Sequence, residues 1–468
     1  MIERRITRRN FLKSAALVGA GSILAACTTT TQTPEEAPAE EQPAAEEPIE
    51  EVPAKEGVLL RHWSGWGGEG YTTAWDNIQK LDGFKEILGS NTLEVKLSMG
   101  EEAILTAIAG GDPPDNATNI NYMGFMSRGT CMDIGDLVAA GNNKKEDFIE
   151  ANWELGIYKG VQYGIPTQEC FLQYGVNYNL KLIQEAGLDP EKFPETWDEL
   201  LDWHIKLTQR DAAGNVTRIG VNAYGAMAEG IWDTSAWEAA LSWGFDWFDI
   251  ETGKFNLNNE FMVDVFRTKK LFIDEVGADN MAALYNVEGR DTWGGAYNGE
   301  VECMIIEGYW HPGETMFAAP EVAANNRAAF LPVPASRKGT KVQGAGGHTW
   351  TIFTTSKDPE TIYKIGEFLN TQEPCDIIWK SQGWLPAVKS YLNTVDSSIY
   401  PGLDFYFKSL EEANYWQAPF KCEITSFVSN EYTSLREKVN RDEMTPEQAA
   451  EELQTRCETE YQNAGFGT

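Results

Sequence analysis

Apolar positions along the chain alternate between two periods. Residues 58–63 carry a strand-like run, a glycine-rich stretch at 64–70 follows, and residues 71–88 repeat with helical spacing. Residues 93–98 predict a second strand and 102–109 a second helix, with further strands at 116–120 and 171–178. Helices are predicted at 180–186 and 197–210, ahead of a turn at 211–215. Beyond them, 261–275 and 359–369 read as helices, 303–306 and 349–354 as strands, and 410–461 as mainly helical. Strands alternating with helices argue for an α/β fold with a mostly parallel sheet covered on both faces. The roughly 410 residues after Glu56 exceed what one hydrophobic core usually serves, so two domains are expected.

The first 57 residues follow other rules. Arg4, Arg5, Arg8, Arg9 and Lys13 precede an apolar run at 15–26 that ends at Cys27 and is too short to span a bilayer as a helix. TRRNFLK at 7–13 resembles a twin-arginine export signal, and LAAC at 24–27 resembles a bacterial lipobox. Residues 1–26 therefore read as an export signal peptide and Cys27 as a lipidated residue. Residues 27–57, rich in Glu, Pro and Ala, lack the apolar surface needed to fold and read as a disordered acidic tether. The expected location is the outer face of the cytoplasmic membrane, in the periplasm or on the cell surface, with the lipid as the only attachment. Formal charge is −33, and removing the basic signal makes the mature chain more acidic. Nucleic acid and anionic headgroups are repelled by such a surface.

Six cysteines remain (Cys131, Cys170, Cys303, Cys375, Cys422, Cys457), with neither CxxC spacing nor histidines at metal-site spacing, so disulfides and buried thiols both stay open. GWGGEG, with Gly65, Gly67 and Gly70, formally matches a dinucleotide fingerprint after a strand and leaves an exported nicotinamide-dependent oxidoreductase as an alternative. Trp66 would crowd the pyrophosphate turn, and no acidic residue is clearly placed for the ribose. HExxH, GxSxG and P-loop motifs are absent, and neither catalytic residues, a metal nor a cofactor is expected. The acidic loop Asp246, Asp249 and Glu251 lacks EF-hand spacing and reads as a solvated turn. His204 reads as structural, whereas His62, His311 and His348 adjoin tryptophans and could reach a site.

Sixteen tryptophans suggest a different chemistry. Sugars present apolar C–H faces and polar edges, so their sites combine flat aromatic platforms with carboxylates and amides. Candidate ligand-binding residues are Trp63, Trp66, Glu69, Asn119, Asn121, Glu169, Phe171, Tyr174, Trp232, Asp233, Trp310, His348, Trp350 and Trp384, with Gln173 and Glu307 also near those aromatics. The acidic members leave a cationic ligand, such as a polyamine or basic peptide, as a further alternative.

Several ordered segments resemble a known family. IAGGDPPD at 108–115, YGIP at 163–166, NYNLKLIQEAGLDPEKFPETWDEL at 177–200, NGEVECMIIEGYW at 298–310, GWLPAVKS at 383–390 and MTPEQA at 444–449 are similar to landmarks of the extracellular solute-binding proteins (family 1) of ATP-driven sugar importers, the maltose-binding-protein-like group. NATNINY at 116–122 departs from the family pattern. The resemblance implies a two-lobed, type II periplasmic-binding-protein-like α/β fold, crossed by the chain near 166–171, 344–348 and 382–386. Lobe I would comprise 58–168 and 346–381, and lobe II 169–345 and 382–468. It also implies a monomer that binds a sugar or oligosaccharide between the lobes and delivers it to the membrane subunits of an ABC importer. Within the EGYW segment, Gly308 would let the backbone approach the ligand and Trp310 would stack on it.

Replacing Cys27 by Ser should leave the precursor uncleaved and without lipid, detectable as an intact N-terminus by mass spectrometry of the membrane fraction. An unmodified residue 27 in the native membrane-bound protein would refute the anchor.

Overall fold

Alternating strands and helices sort into two five-stranded sheets. The computed structural model describes residues 57–224, 240–283, 294–417 and 421–467. In the first sheet the strands lie in the order Thr92–Lys96, Leu59–Ser64, Asn116–Thr118, Thr349–Ile352, Gly164–Pro166. In the second the order is Asn326–Ala329, Gly175–Asn179, Glu302–Glu307, Val216–Val221, Gln209–Arg210. The mostly parallel sheet expected from the alternation is corrected here, because both sheets are mixed. Thr349–Ile352 runs antiparallel to both neighbours, and Gly175–Asn179 antiparallel to both of its own. The reason is chain direction. Gly164–Pro166 carries the chain out of the first sheet and Thr349–Ile352 brings it back, so the two must oppose each other.

Local chemistry sets the element ends. The helix expected over 71–88 is two helices, Glu69–Ile78 and Asp82–Leu88, because Leu81 adopts an extended conformation and turns into the first core. Trp197–Leu207 starts on a capping box in which the Thr196 hydroxyl accepts the Glu199 N–H and the Glu199 carboxylate accepts the Thr196 N–H. It stops before Gln209–Arg210, which instead pairs as an edge strand, and Asp211 closes that hairpin by accepting the N–H groups of Ala213 and Asn215. The C-terminal helical stretch consists of Leu403–Glu412, Thr425–Asn440 and Pro446–Asn463, with the strand Tyr415–Gln417 inserted after the first.

Each sheet has its own core. Leu60, Trp75, Ile165, Trp350 and Ile362 pack around the first; Val176, Trp197, Phe266, Met304 and Leu435 pack around the second. All six cysteines are buried free thiols. The first core continues through the crossings to Phe171, Tyr309, Leu385 and Leu403. Tyr406 ties it to the second sheet, donating to the Glu307 carbonyl and accepting from Asn177 Nδ2, each at 2.9 Å.

The crossings form an antiparallel ladder. Thr167 N–H donates to the His348 carbonyl, His348 N–H to Glu169 and Gln173 N–H to Gly344, while Leu172 bridges Ala345. A third crossing joins where Cys170 N–H donates to the Leu385 carbonyl at 2.8 Å. Glycines are required here. A Cβ at Gly347, whose φ is +127°, would stand 2.2 Å from the Glu169 carbonyl oxygen, and one at Gly346 would meet Gln173 Oε1 at 2.4 Å. The lobes also touch away from this hinge. Glu423, buried, accepts from the hydroxyls of Tyr158 (2.8 Å) and Tyr461 (3.2 Å), and Asn121 Nδ2 donates to Ser426 Oγ at 2.9 Å.

Asn152 clamps the hinge from below, with Nδ2 2.7 Å from the Gly346 carbonyl. Asn152→Ala should destabilise the protein by about 1–3 kcal/mol by leaving that buried acceptor unpaired. Urea unfolding of the two proteins checks this, and an unchanged midpoint would remove Asn152 from the hinge's support.

Candidate ligand-binding cleft

The hinge ladder does more than join lobes, because four of its residues, Glu169, Gln173, Gly347 and His348, line an open cleft. The loop after Leu59–Ser64 adds Trp66, and Asn119, in a left-handed conformation (φ 51°), enters after Asn116–Thr118. Trp310 and Glu314 come from the start of the helix His311–Ala318, one turn apart. Trp384 follows the helix Gln372–Gln382, which Gly383 ends with φ at +68°.

Packing fixes the rings. Trp384 stands 5.1 Å from Tyr71, 5.5 Å from His348 and 6.5 Å from Trp66 between centroids, and its indole N–H donates to Glu314 Oε1 at 3.1 Å. Trp310 lies over its own backbone: a Cβ on Gly308 would come within 2.2 Å of the indole. Gly308 was expected to admit the ligand to its backbone. Its open face is filled by the ring of Trp310 instead.

Burial also sets the charge states. Desolvation pushes Glu169 up to about 8, with the Tyr309 hydroxyl opposing and the Glu314 charge adding to the shift. Glu314 likewise rises to about 8 through desolvation and the Glu307 charge, against the Trp384 hydrogen bond. Desolvation lowers His348 to about 3. The 3.7 Å approach of His348 Nε2 to Glu169 Oε2 is therefore no ion pair at neutral pH, and it is too long for a hydrogen bond. Glu314 Oε2, Gln173 Oε1 and His348 Nδ1 are buried without a partner. Two protonated carboxyls that can donate or accept, an amide oxygen and a neutral imidazole thus face a space walled by indoles. Such a set suits a ligand with many hydroxyls.

Of the residues nominated from the sequence, Trp66, Asn119, Glu169, Trp310, His348 and Trp384 meet at this cleft, joined by Gln173. Others stand elsewhere. Trp63 shares the opposite face of its strand with Leu59 and Arg61, since neighbouring strand residues point to opposite sides, and Lys96 Nζ lies 5.6 Å from its ring. Trp350 is fully buried, stacked 4.7 Å from His62 and pressed against Gly366. Phe171 packs edge-on to Tyr309 within the first core, and Tyr174 lies in the second. Glu69 is exposed at the start of its helix, and Asn121 caps the helix Tyr122–Ser127 while reaching Ser426. Glu307 is buried beside His311 rather than at the cleft. Trp232 and Asp233 lie outside the described residues. His62 and His311, which could have reached a site, are buried in packing contacts with Trp75 and Tyr297. Glu314 and Gly347 were missed, although the four-residue spacing from Trp310 to Glu314 was visible.

The three GWGGEG glycines that match the fingerprint, Gly65, Gly67 and Gly70, are enclosed by the protein's own atoms, whereas Gly68 faces open space. A Cβ at Gly65 would stand 1.9 Å from the Asn119 carbonyl oxygen, at Gly67 2.1 Å from Ser98 Oγ and at Gly70 2.9 Å from the Ser381 carbonyl oxygen. These residues allow close chain packing rather than cradling a pyrophosphate.

The profile of the family described as bacterial extracellular solute-binding protein matches residues 89–374, more than half of the chain. The chain belongs to that family. Solved structures agree on the fold. CpMnBP1 with mannotriose bound superimposes with a TM-score of 0.72 at 19% identity, covering 86% of this chain and 100% of that one. The substrate-binding protein Lmo0181 from Listeria monocytogenes, in complex with cycloalternan, gives 0.68 at 18% identity, covering 88% and 100%. The maltose/maltodextrin-binding domain MalE from Bdellovibrio bacteriovorus, bound to maltotriose, gives 0.66 at 17%, covering 86% and 100%. This solute-binding protein thus has the two-lobed α/β fold, and its family is an exported one of binding proteins, which does not favour the oxidoreductase alternative. No helix among the described residues is long and apolar enough to cross a membrane.

Glu169 and Glu314 stabilise the fold while protonated, so their contribution is full below the ordinary carboxyl value of 4.5 and lost as pH rises through about 8. His62, His204, His311 and His348 are lowered, and their contribution is lost only as pH falls below 6.5. Between pH 6.5 and 8.5 the carboxyls therefore dominate, and each should lower stability by an amount on the order of 2 kcal/mol. Glu314→Gln and Glu169→Gln should each flatten that slope in urea titrations at the two pH values. Identical slopes in wild type and both variants would contradict the assignment.

Proposed function

We propose that this solute-binding protein captures a sugar or oligosaccharide in the interlobe cleft and delivers it to the membrane subunits of an ABC importer. The observation that carries the reading is the union of Trp66, Trp310 and Trp384 with Glu169, Gln173 and Glu314 around one space. Indole faces suit the C–H faces of a pyranose, and the buried unpaired oxygens and nitrogen suit its hydroxyls. Mannotriose, cycloalternan and maltotriose in the similar structures support the same class. On this reading lobe I is 58–168 with 346–381 and lobe II 169–345 with 382–468. Ligand bridging the lobes favours a closed form that the importer recognises. The protein acts as a monomer held by lipid on Cys27 at the outer face of the membrane.

The carboxyl pair Glu169 and Glu314 favours a second reading, since a cationic ligand would draw both into their charged forms. A thermal-shift panel of mono- and oligosaccharides, polyamines and basic peptides separates the two, because only a ligand bound by the native state raises the midpoint. A saccharide shift supports the proposal. A shift by cations alone overturns it.

Trp310 tests the site itself. Stacking and anchoring by one aromatic are worth about 1–3 kcal/mol, so Trp310→Ala should weaken sugar binding roughly ten- to a hundredfold in calorimetric titration. The unliganded melting temperature should change little, because the ring is only half-buried. Strong destabilisation, on the order of 3–5 kcal/mol, with unchanged affinity would make Trp310 a core residue instead.

A further inference from the structure

A second cavity, of about 350 Å³, opens in the second lobe among the helices Glu260–Val276, Ala278–Ala283 and Thr425–Asn440. Ile273 and Met281 give it an apolar wall, and it shares no residue with the sugar cleft. Its floor is unusual for so acidic a chain. Arg436 is 1% exposed, and its Nε and Nη1 are buried without a hydrogen-bond partner. The Tyr224 ring holds the guanidinium, whose carbon lies 4.4 Å from the ring centroid, and Tyr224 is itself tied to Asn440 Oδ1 at 3.2 Å. That bond occupies the Asn440 oxygen and leaves its NH₂ to donate. Thr433 Oγ1 is another buried atom without a partner, and Arg441 stands at the rim.

Guanidinium N–H groups can only donate, so what completes this floor accepts hydrogen bonds, and an anionic acceptor matches the charge best. The two nearby carboxylates do not fill that role. Glu437 makes a long ion pair with Arg436, 3.6 Å from Nε and too far for a hydrogen bond, and Asp279 pairs with Arg441 at 2.8 Å. Both are rim groups, 47% and 90% exposed, whose charge water screens, whereas Arg436 is enclosed. We propose that this cavity is a binding site for a small oxyanion, a phosphate or carboxylate group, seated on Arg436 and held by Thr433, Asn440 and Arg441. Planar, fork-like donation from arginine is matched to such groups, and the hydroxyl and amide donors flank it.

The test is a titration of the full chain with inorganic phosphate, and in parallel with acetate, against sodium chloride of equal ionic strength, followed by thermal midpoint. A saturable rise with either oxyanion and none with chloride is expected. Arg441→Gln and Thr433→Val, both on partly exposed positions that should tolerate change, should each shift half-saturation upward by roughly tenfold. Trp310→Ala should leave it unchanged. Exclusion of phosphate from the protein surface would instead raise the midpoint without saturating and equally in every variant, which would overturn the site. A saturable rise that survives both rim substitutions, or that disappears in Trp310→Ala, would place the anion elsewhere and overturn it as well.

Discussion

Everything at the cleft depends on two extended segments, 167–174 and 342–349, hydrogen-bonding to each other as they pass between the sheets. A buried crossing with unpaired backbone groups would be unstable, so the segments must pair, and pairing fixes their register. That register then sets Glu169, Gln173, Gly347 and His348 side by side at the cleft. The glycines at 344, 346 and 347 serve this approach, since a Cβ at any of them would collide with the opposing segment. Cleft chemistry and hinge are thus one structure. A ligand that touches the side chains of Glu169 or His348 touches the segments that join the two sheets.

The electrostatics of the cleft run against those of the molecule. A surface with a formal charge of −33 keeps its acids ionised in water, but the cleft holds Glu169 and Glu314 where desolvation favours the neutral acid. Protonated carboxyls can both donate and accept, which matches a hydroxyl's own dual role and does not require a compensating cation. The indole of Trp384 contributes to both parts of the site, walling the space while donating to Glu314. A buried guanidinium, that of Arg436, sits in the second lobe with Nε and Nη1 free of hydrogen bonds, lining a cavity that shares no residue with the cleft.

Much of this was legible from local pattern. Glu260–Val276 was expected over 261–275 because its apolar residues repeat at helical spacing, and the structure adds Asn259 as the cap at its start. The crossings near 166–171, 344–348 and 382–386 were implied by the family resemblance as a whole, and six nominated residues meet at one cleft. Where the expectation erred, the cause was non-local. Mostly parallel sheets were expected because strands alternate with helices, yet two strands belong to crossings that run in opposite directions.

The linear sequence by itself determined the order of many elements and their amphipathic faces, the resemblance to the family, and the enrichment in tryptophan that suits a ring-stacking site. These are properties of near neighbours, and periodicity reports them directly. Tertiary structure alone decided which tryptophan faces the cleft. Trp63 and Trp66 stand three residues apart, but strand alternation and the turn at Gly65 send one to the far face and the other to the site. Trp350 sits two residues from His348 and is enclosed by the helix Pro359–Phe368, whose Gly366 makes room for its ring. The state of Glu314 was likewise undecided by its neighbours in sequence, because its desolvation and its indole partner arrive from segments some 70 residues away.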